Sequence, residues 1–283
     1  MRIIDTHQHL IYPGRFAYGW TAGIDTRSGA FTLEDYTALA AASGITDAIF
    51  METAPDDEFY QAEARYALEL AGRADTIVRA VIAGCRPETD AGFEAWLDET
   101  DSALVVGYRR PLHVVPDELS TTEQFRANVR RIGQRNKVFD LCVTQAQLGV
   151  GRDLARACPE TQFVLNHCGV PAIAGGDFAG WAAAIDALAA LPNVACKISG
   201  VVAYCGPDQD PETAVRPYVE HSLERFGADR VVWGGDWPVV NLRMKLSDWM
   251  GITNRLVVGL SRDEKEKLFA DNAARLYRLP QRA

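Results

Sequence analysis

Eight short apolar runs recur along this chain, at 3–7, 47–51, 77–82, 104–108, 138–143, 163–166, 194–198 and 230–233, most of them separated by segments with helical periodicity. Each run is nearly continuous rather than alternating, which is the pattern of a strand covered on both faces, as in a parallel sheet. Between them, 58–73 sets Phe59, Ala62, Tyr66 and Leu70 on one helical stripe, and 177–191 and 211–226 do the same less cleanly. Alternation of eight strands with helices, with no shift of composition over 283 residues, predicts one closed (β/α)8 barrel spanning 1–283 as a single α/β domain. An open doubly wound sheet is the competing architecture. It lacks its usual support, because no Gly-x-Gly-x-x-Gly follows the first run.

Charge narrows the partners. A net charge of -9 and a pI near 5.1 argue against a grip on nucleic acid or on anionic lipid, since both need clustered Lys and Arg. The first residues carry no charged segment followed by an apolar one, and no apolar run approaches the roughly 18 residues of a membrane span. The expectation is a cytoplasmic protein acting on a small molecule, with a homo-oligomer left open. Six cysteines, at 85, 142, 158, 168, 196 and 205, form no C-x-x-C pair and read as reduced, mostly buried thiols. A nucleophilic role for Cys168, next to His167, would require a lowered pKa.

In such a barrel the chemistry stands at the C-terminal ends of the strands. The first run ends in Asp5-Thr6-His7-Gln8-His9, and residues two apart on a strand share a face, so both imidazoles converge on one point. That spacing, on a strand, is metal-ligand geometry. The second run ends at Glu52, the fourth at Arg109-Arg110, the sixth at Asn166-His167, the seventh at Lys197-Ile198-Ser199 and the eighth at Gly234-Gly235-Asp236-Trp237. Six runs ending in polar groups at one rim are what a site requires. A carboxylate at Asp236, opposite two histidines, binds a cation or takes a proton from water; its other reading is a helix N-cap. Alternation lets only one of Arg109 and Arg110 face the axis.

Two connections depart from the short loops expected. Residues 11–32 form a long stretch rich in Gly and aromatics, Trp20 among them, a candidate lid over the mouth, and 205–210 is a second mobile-looking loop. His113 is placed to line a pocket, whereas His221 sits in a helical run and reads as packing.

Asp-Thr-His-Gln-His after the first run, Asn-His-Cys-Gly late in the chain and Gly-Gly-Asp-Trp-Pro after the eighth together resemble the amidohydrolase superfamily. The chain looks most like its sugar-lactonase branch, that of L-fuconolactonases and L-rhamnonolactonases, and 271–277 is similar to the family's closing helix. The resemblance implies a (β/α)8 barrel and hydrolysis of an aldonolactone, such as L-fucono-1,4-lactone, as a step of carbohydrate metabolism. It implies a single Zn²⁺ on His7 and His9 with Asp236 or Glu52, and, because this branch includes metal-independent lactonases, it does not make that metal essential to turnover. A full two-metal cluster is not expected, because later strands offer only His167, Lys197 and Ser199. Asp236 would be the general base, His167 and the inward arginine would stabilise the oxyanion or hold ring oxygens, and Ser199, Lys197, Trp237, Tyr204 and Trp20 would bind the sugar. Two other readings stand beside it: a Zn²⁺-dependent decarboxylase of the same superfamily, and a non-catalytic barrel that binds a sugar acid.

Overall fold

A computed structural model describes residues 1–22 and 29–280, and its eight strands form one parallel sheet in sequence order. They are β1 (Ile4–Gln8), β2 (Asp47–Met51), β3 (Val78–Gly84), β4 (Val105–Pro111), β5 (Val138–Cys142), β6 (Phe163–Leu165), β7 (Val194–Ile198) and β8 (Val231–Trp233). Each falls on one of the apolar runs. The sheet closes on itself where Thr6 Oγ1 donates to the Trp233 carbonyl at 2.7 Å, the Asp236 N–H to the His7 carbonyl at 2.6 Å and the His9 N–H to the Trp237 carbonyl at 2.8 Å. Closure leaves no open edge, so the fold is a (β/α)8 barrel.

The outer ring consists of α1 (Leu33–Ala42), α2 (Tyr60–Ala71), α3 (Phe93–Glu99), α4 (Glu123–Gln134), α5 (Leu148–Ala157), α6 (Phe178–Ala189), α7 (Pro211–Phe226) and α8 (Leu246–Leu256). Capping chemistry fixes several starts. Thr32 and Asp35 form a capping box on α1, and Asp210 accepts from the Thr213 N–H ahead of Pro211 at the first position of α7. The stripe expected on α2 is only partly the buried one. Ala64, Ala67, Leu70 and Ala71 face the barrel, while Phe59, Ala62 and Tyr66 pack beneath the aromatic loop with Phe16 and Tyr18. No helix among the described residues is long and apolar enough to cross a membrane.

Strand parity, and with it which side chains look inward, depends on register shifts, three of which occur in the sheet and two of which turn site residues inward. Ile4 faces the barrel axis, so strict alternation would send His7 outward; an extra residue in β1 between Asp5 and Gln8 restores it to the inside. The shift from Val105 to Gly107 opposite Val81 and Ile82 does the same in β4. Val106 and Arg109 both point inward, and Tyr108 points outward to Thr100, 2.5 Å away.

The far end of the barrel is plugged. After α9 (Arg262–Glu266) and a π turn over Lys267–Asp271, α10 (Asn272–Leu276) lays Ala270, Ala273, Leu276 and Tyr277 against Ile4, Ile49, Val106, Val138 and Val232. Above this plug lies a charged pair that the sequence reading did not anticipate. Lys197 Nζ donates to Asp140 Oδ1 at 2.6 Å and to the Thr6 carbonyl at 3.0 Å, and Asp140 also accepts from Asn166 Nδ2 at 2.7 Å and from the Tyr277 hydroxyl at 3.2 Å.

The loop of 11–32 is tied at its base by paired backbone bonds between Ile11 and Phe31, both 2.9 Å. Its described part packs on the β2 side, where Trp20 Nε1 donates to the Thr53 carbonyl at 2.9 Å and the Gly19 N–H to Asp56 Oδ1 at 2.8 Å. It forms a wall of the mouth. Residues 23–28, which belong to the expected lid, lie outside the described residues. The second loop is held by Arg243, which donates to the carbonyls of Pro207 and Gln209.

Candidate active site

A cavity of about 600 Å³ opens at the C-terminal end of the barrel, with His9, Glu52, Arg109, His167, Tyr204 and Asp236 among its lining. At its floor, His7 Nε2, His9 Nε2 and Asp236 Oδ1 face one another. The histidine nitrogens are 3.2 Å apart, and the carboxylate oxygen is 3.6 Å from the first and 3.5 Å from the second. All three side chains are buried.

His9 Nδ1 lies 3.0 Å from the Met51 carbonyl, which can only accept, so Nδ1 carries a proton, and in the neutral ring Nε2 presents a lone pair. Burial, reinforced by His167 and Lys197, holds the His7 pKa well below its ordinary value, so that ring is neutral. Neither carboxylate oxygen of Asp236 has a hydrogen-bond partner among the described residues. With the His7 proton on Nδ1, three lone pairs converge on one point. A tetrahedral ion at about 2.0–2.1 Å from each donor would space the donors about 3.3 Å apart, which matches the edges seen. The residues fit one divalent cation, and the Met51 carbonyl orients His9 as a ligand's outer partner does.

The backbone that presents these groups is unusual. Asp236 has a φ of +56° and is pinned by its N–H to the His7 carbonyl at 2.6 Å. Asp5 ties the same turn to β1: Oδ1 accepts from the N–H groups of His7 at 2.9 Å and Gly235 at 2.7 Å, and Oδ2 accepts from the Tyr36 hydroxyl at 2.7 Å. Burial raises the Asp5 carboxyl to about 6 despite those donors. His167, Cys168, Gly169 and Val170 all take left-handed φ, at 55°, 51°, 72° and 45°. Three non-glycine residues in that region cost about 1–3 kcal/mol each. Trp181 Nε1 donating to the Cys168 carbonyl at 2.8 Å and the Gln145 N–H to the Val170 carbonyl at 3.2 Å help hold them there.

His167 is turned by Ser199, whose carbonyl is 3.1 Å and hydroxyl 3.0 Å from Nδ1. The carbonyl fixes the proton on Nδ1 and leaves Nε2 as an acceptor. Burial, opposed by Asp236, lowers its pKa to about 4. A neutral acceptor does not stabilise an oxyanion, so that expected role of His167 is corrected: its lone pair suits a water or a substrate hydroxyl. Arg109 is the cation of the floor. Its Nε donates to Glu52 Oε1 at 2.5 Å and its Nη2 to the Glu52 carbonyl at 2.6 Å, and Nη1 lies 3.4 Å from His7 Nε2.

Other expected site residues fall elsewhere. Glu52 is not placed as a metal ligand: Arg109 and the Ala54 N–H occupy its oxygens. Burial raises its carboxyl, but Arg109 outweighs this and keeps the pKa below the ordinary value. Arg110 reaches the rim and pairs with Glu88 at 2.6 Å. Lys197 lies beneath the floor, spent on Asp140, and Ser199 acts on His167 rather than on the cavity. Trp237 is buried behind the wall, its ring 5.3 Å from Phe31 and 5.6 Å from Tyr36, and does not offer a sugar platform. Trp20 and Tyr204 do line the cavity, as does His113, whose Nδ1 is 3.3 Å from Cys142 Sγ. Asp236 is no helix N-cap, since Pro238 holds that position ahead of Val239–Leu242. His221 packs on Trp181 and bonds Asp186 at 2.8 Å. All six cysteines are free, and burial keeps the Cys142 thiol up at about 11.

Two contributors escaped the sequence reading. Arg86 lines the cavity after β3, where Gly84-Cys85-Arg86 repeats the signal used at the other strand ends, an apolar run closing on a polar group. Gly200, at φ +60°, backs the general-base candidate: a Cβ there would fall 1.9 Å from Asp236 Oδ2.

A family model described as amidohydrolase matches residues 4–279. An uncharacterized protein from Sinorhizobium fredii is 35% identical over 162 residues, 57% of this chain and 54% of that protein, so the chain spans about half the length of that relative. L-fucono-1,5-lactonase from Burkholderia ambifaria is 29% identical over 282 residues, covering 98% of this chain and 95% of that protein. The crystal structure of an amidohydrolase from Burkholderia multivorans with bound zinc superposes with a TM-score of 0.91 at 27% identity, covering 99% of this chain and 100% of that one.

Proposed function

The chain belongs to the amidohydrolase family, and we propose that it opens an aldonolactone, a cyclic sugar ester, to the hydroxy acid with the help of one Zn²⁺. The observation that carries the reading is the convergence of three lone-pair donors, His7, His9 and Asp236, at 3.2–3.6 Å on the floor of a cavity that also holds Arg109. The lactonase relative that spans nearly the whole chain supports the choice of a lactone.

When bound, the cation supplies Lewis acidity at the lactone carbonyl. Asp236 divides its oxygens between two tasks: Oδ1 faces the two metal-site histidines, and Oδ2 lies 3.7 Å from His167 Nδ1. Oδ2 takes the proton of the attacking water, His167 Nε2 orients that water by accepting its other hydrogen, and the Arg109 guanidinium faces the negative charge that develops on the carbonyl oxygen. Collapse of the tetrahedral adduct breaks the ring C–O bond, and Asp236 returns the proton to the leaving alkoxide. The product acid ionises at neutral pH, which makes the reaction visible to a pH indicator.

The test is a panel of 1,4- and 1,5-aldonolactones with zinc-loaded, chelator-treated and zinc-restored protein. Turnover is expected with zinc, to fall at least tenfold on chelation and to return on reconstitution. Absence of acid release from every lactone, together with CO₂ release from an aromatic acid, would replace the reading by a decarboxylase.

Gly200→Ala is expected to lower kcat/KM about 100-fold or more, because displacing a reacting group by about 1 Å costs on that order and the added methyl meets Asp236 directly. Gly149→Ala, in α5 with nothing within 4 Å of its Cβ position, is the control and should leave turnover unchanged. Equal rates for the two variants would show that Gly200 does not set the position of Asp236.

A further inference from the structure

The cavity has two unlike walls. Because the strands run round the barrel in sequence order, the loops after β2, β3 and β4 stand across the mouth from those after β6, β7 and β8. The first group lines the cavity with Glu52, Asp56, Asp57, Arg86, Arg109 and Arg110. The second supplies, besides His167 and Asp236, the side chains of Val170, Ala203, Tyr204, Val239 and Leu242. Fixed charge therefore lies mainly on one side, where it is interspersed with Ala54, Pro55, Pro111 and Val114, whereas the other side, apart from Asp236, is largely aliphatic.

The lips continue the apolar surface outward. Leu242, after β8, is 41% exposed and Val114, after β4, is 64% exposed, two of the five exposed large hydrophobic side chains among the described residues. Val170 is held at a φ of +45°, where a β-branched residue rests only under constraint. An aliphatic side chain kept in that conformation at the cavity wall points to a use there.

A fully hydroxylated sugar lactone leaves one wall of such a cavity unused, since hydroxyls turned to the aliphatic wall give up water without gaining a partner. Size argues the same way: about 600 Å³ lies in the range that encloses a drug-sized ligand, more than a lone ring of about a dozen non-hydrogen atoms fills. Resting on the lactonase reading above, we propose that the preferred substrate is an amphipathic lactone. Its hydroxyls face Arg86 and Arg110, and on the opposite side it carries an apolar group longer than a methyl, laid against Val170, Val239 and Leu242.

The test uses the zinc-loaded full chain and a series of hydroxylated δ-lactones bearing hydrogen, methyl, propyl or pentyl on the carbon next to the ring oxygen. Each methylene moved from water onto an apolar wall is worth about a threefold to fourfold gain, so kcat/KM is expected to climb along the series by that factor per carbon. Leu242→Asp, at an exposed position, is expected to flatten the series to within about twofold. If every member is hydrolysed but kcat/KM stays level or falls with chain length, the amphipathic substrate is overturned and the lactonase reading stands. A climb that Leu242→Asp leaves intact overturns the assignment to this wall. If neither the series nor any unsubstituted lactone is hydrolysed, the lactonase reading fails, and this inference with it.

Discussion

Asp236→Asn is expected to lower kcat/KM on a lactone by about 1,000-fold, equivalent to about 4 kcal/mol of transition-state stabilisation, while the fold is retained. The amide matches the carboxylate in shape, so the buried position opens no cavity. What it lacks is basicity and charge. A positioned general base contributes about 10²–10⁴ in rate, and the same substitution removes the one anionic donor of the three that converge on the floor. The protein should therefore lose bound zinc as well as turnover, and the two losses are separable. Metal content by atomic absorption reports the ligand role, and the rate at saturating zinc reports the base. A kcat/KM within about tenfold of the parent at saturating zinc would remove Asp236 from the proton transfer. The His167→Ala variant, judged in the same assay, should keep its metal, because His167 Nδ1 is committed to Ser199 and its ring lies outside the cluster of three donors.

Lys197→Met is expected to destabilise the barrel by about 3–5 kcal/mol, the usual cost of removing one partner of a buried ion pair. Both Lys197 and Asp140 are fully buried, 2.6 Å apart on the barrel axis. Burial pulls the Lys197 pKa below its ordinary value, and Asp140 opposes it. Methionine replaces the length of the side chain but neither its charge nor its donors. It leaves the Asp140 carboxylate in the interior with only the neutral donors Asn166 and Tyr277, and the Thr6 carbonyl loses the ammonium it accepts from. Denaturant unfolding with and without bound zinc measures the effect. A companion Lys197→Met, Asp140→Leu double variant should recover much of the loss, since two apolar residues leave no orphaned charge. A single-variant loss below about 1 kcal/mol would mean that the pair adds nothing to the stability of the barrel.

The pair also shows where sequence reading stopped. Asp140 is the one charge inside the apolar run of β5, and Lys197 the one charge inside that of β7. Two lone charges on buried strands predict each other, yet Lys197 near a strand end reads equally well as a site residue. The same ambiguity affected Ser199, Trp237 and Glu52. Each ends a strand in polar or aromatic character, which is a necessary mark of the site and not a sufficient one. Glu52 and Arg109 neutralise each other from positions 57 residues apart, and nothing local in either strand announces that.

The sequence by itself determined the barrel, because eight apolar runs alternating with amphipathic segments admit few other packings. It also determined that His7 and His9 share a face and that Asp236 and His167 stand at the same rim, since strand ends of a parallel barrel all open to one side. Only the tertiary structure decided which rim residues look into the cavity. One inserted residue reverses the facing of everything after it on a strand, and such insertions, in β1 before Gln8 and in β4 before Gly107, turn His7 and Arg109 inward. It alone decided, too, which inward groups remain available for chemistry. Glu52 and Lys197 are satisfied by partners brought near by closure of the sheet, whereas the lone pairs of His7, His9 and Asp236 are left facing one another.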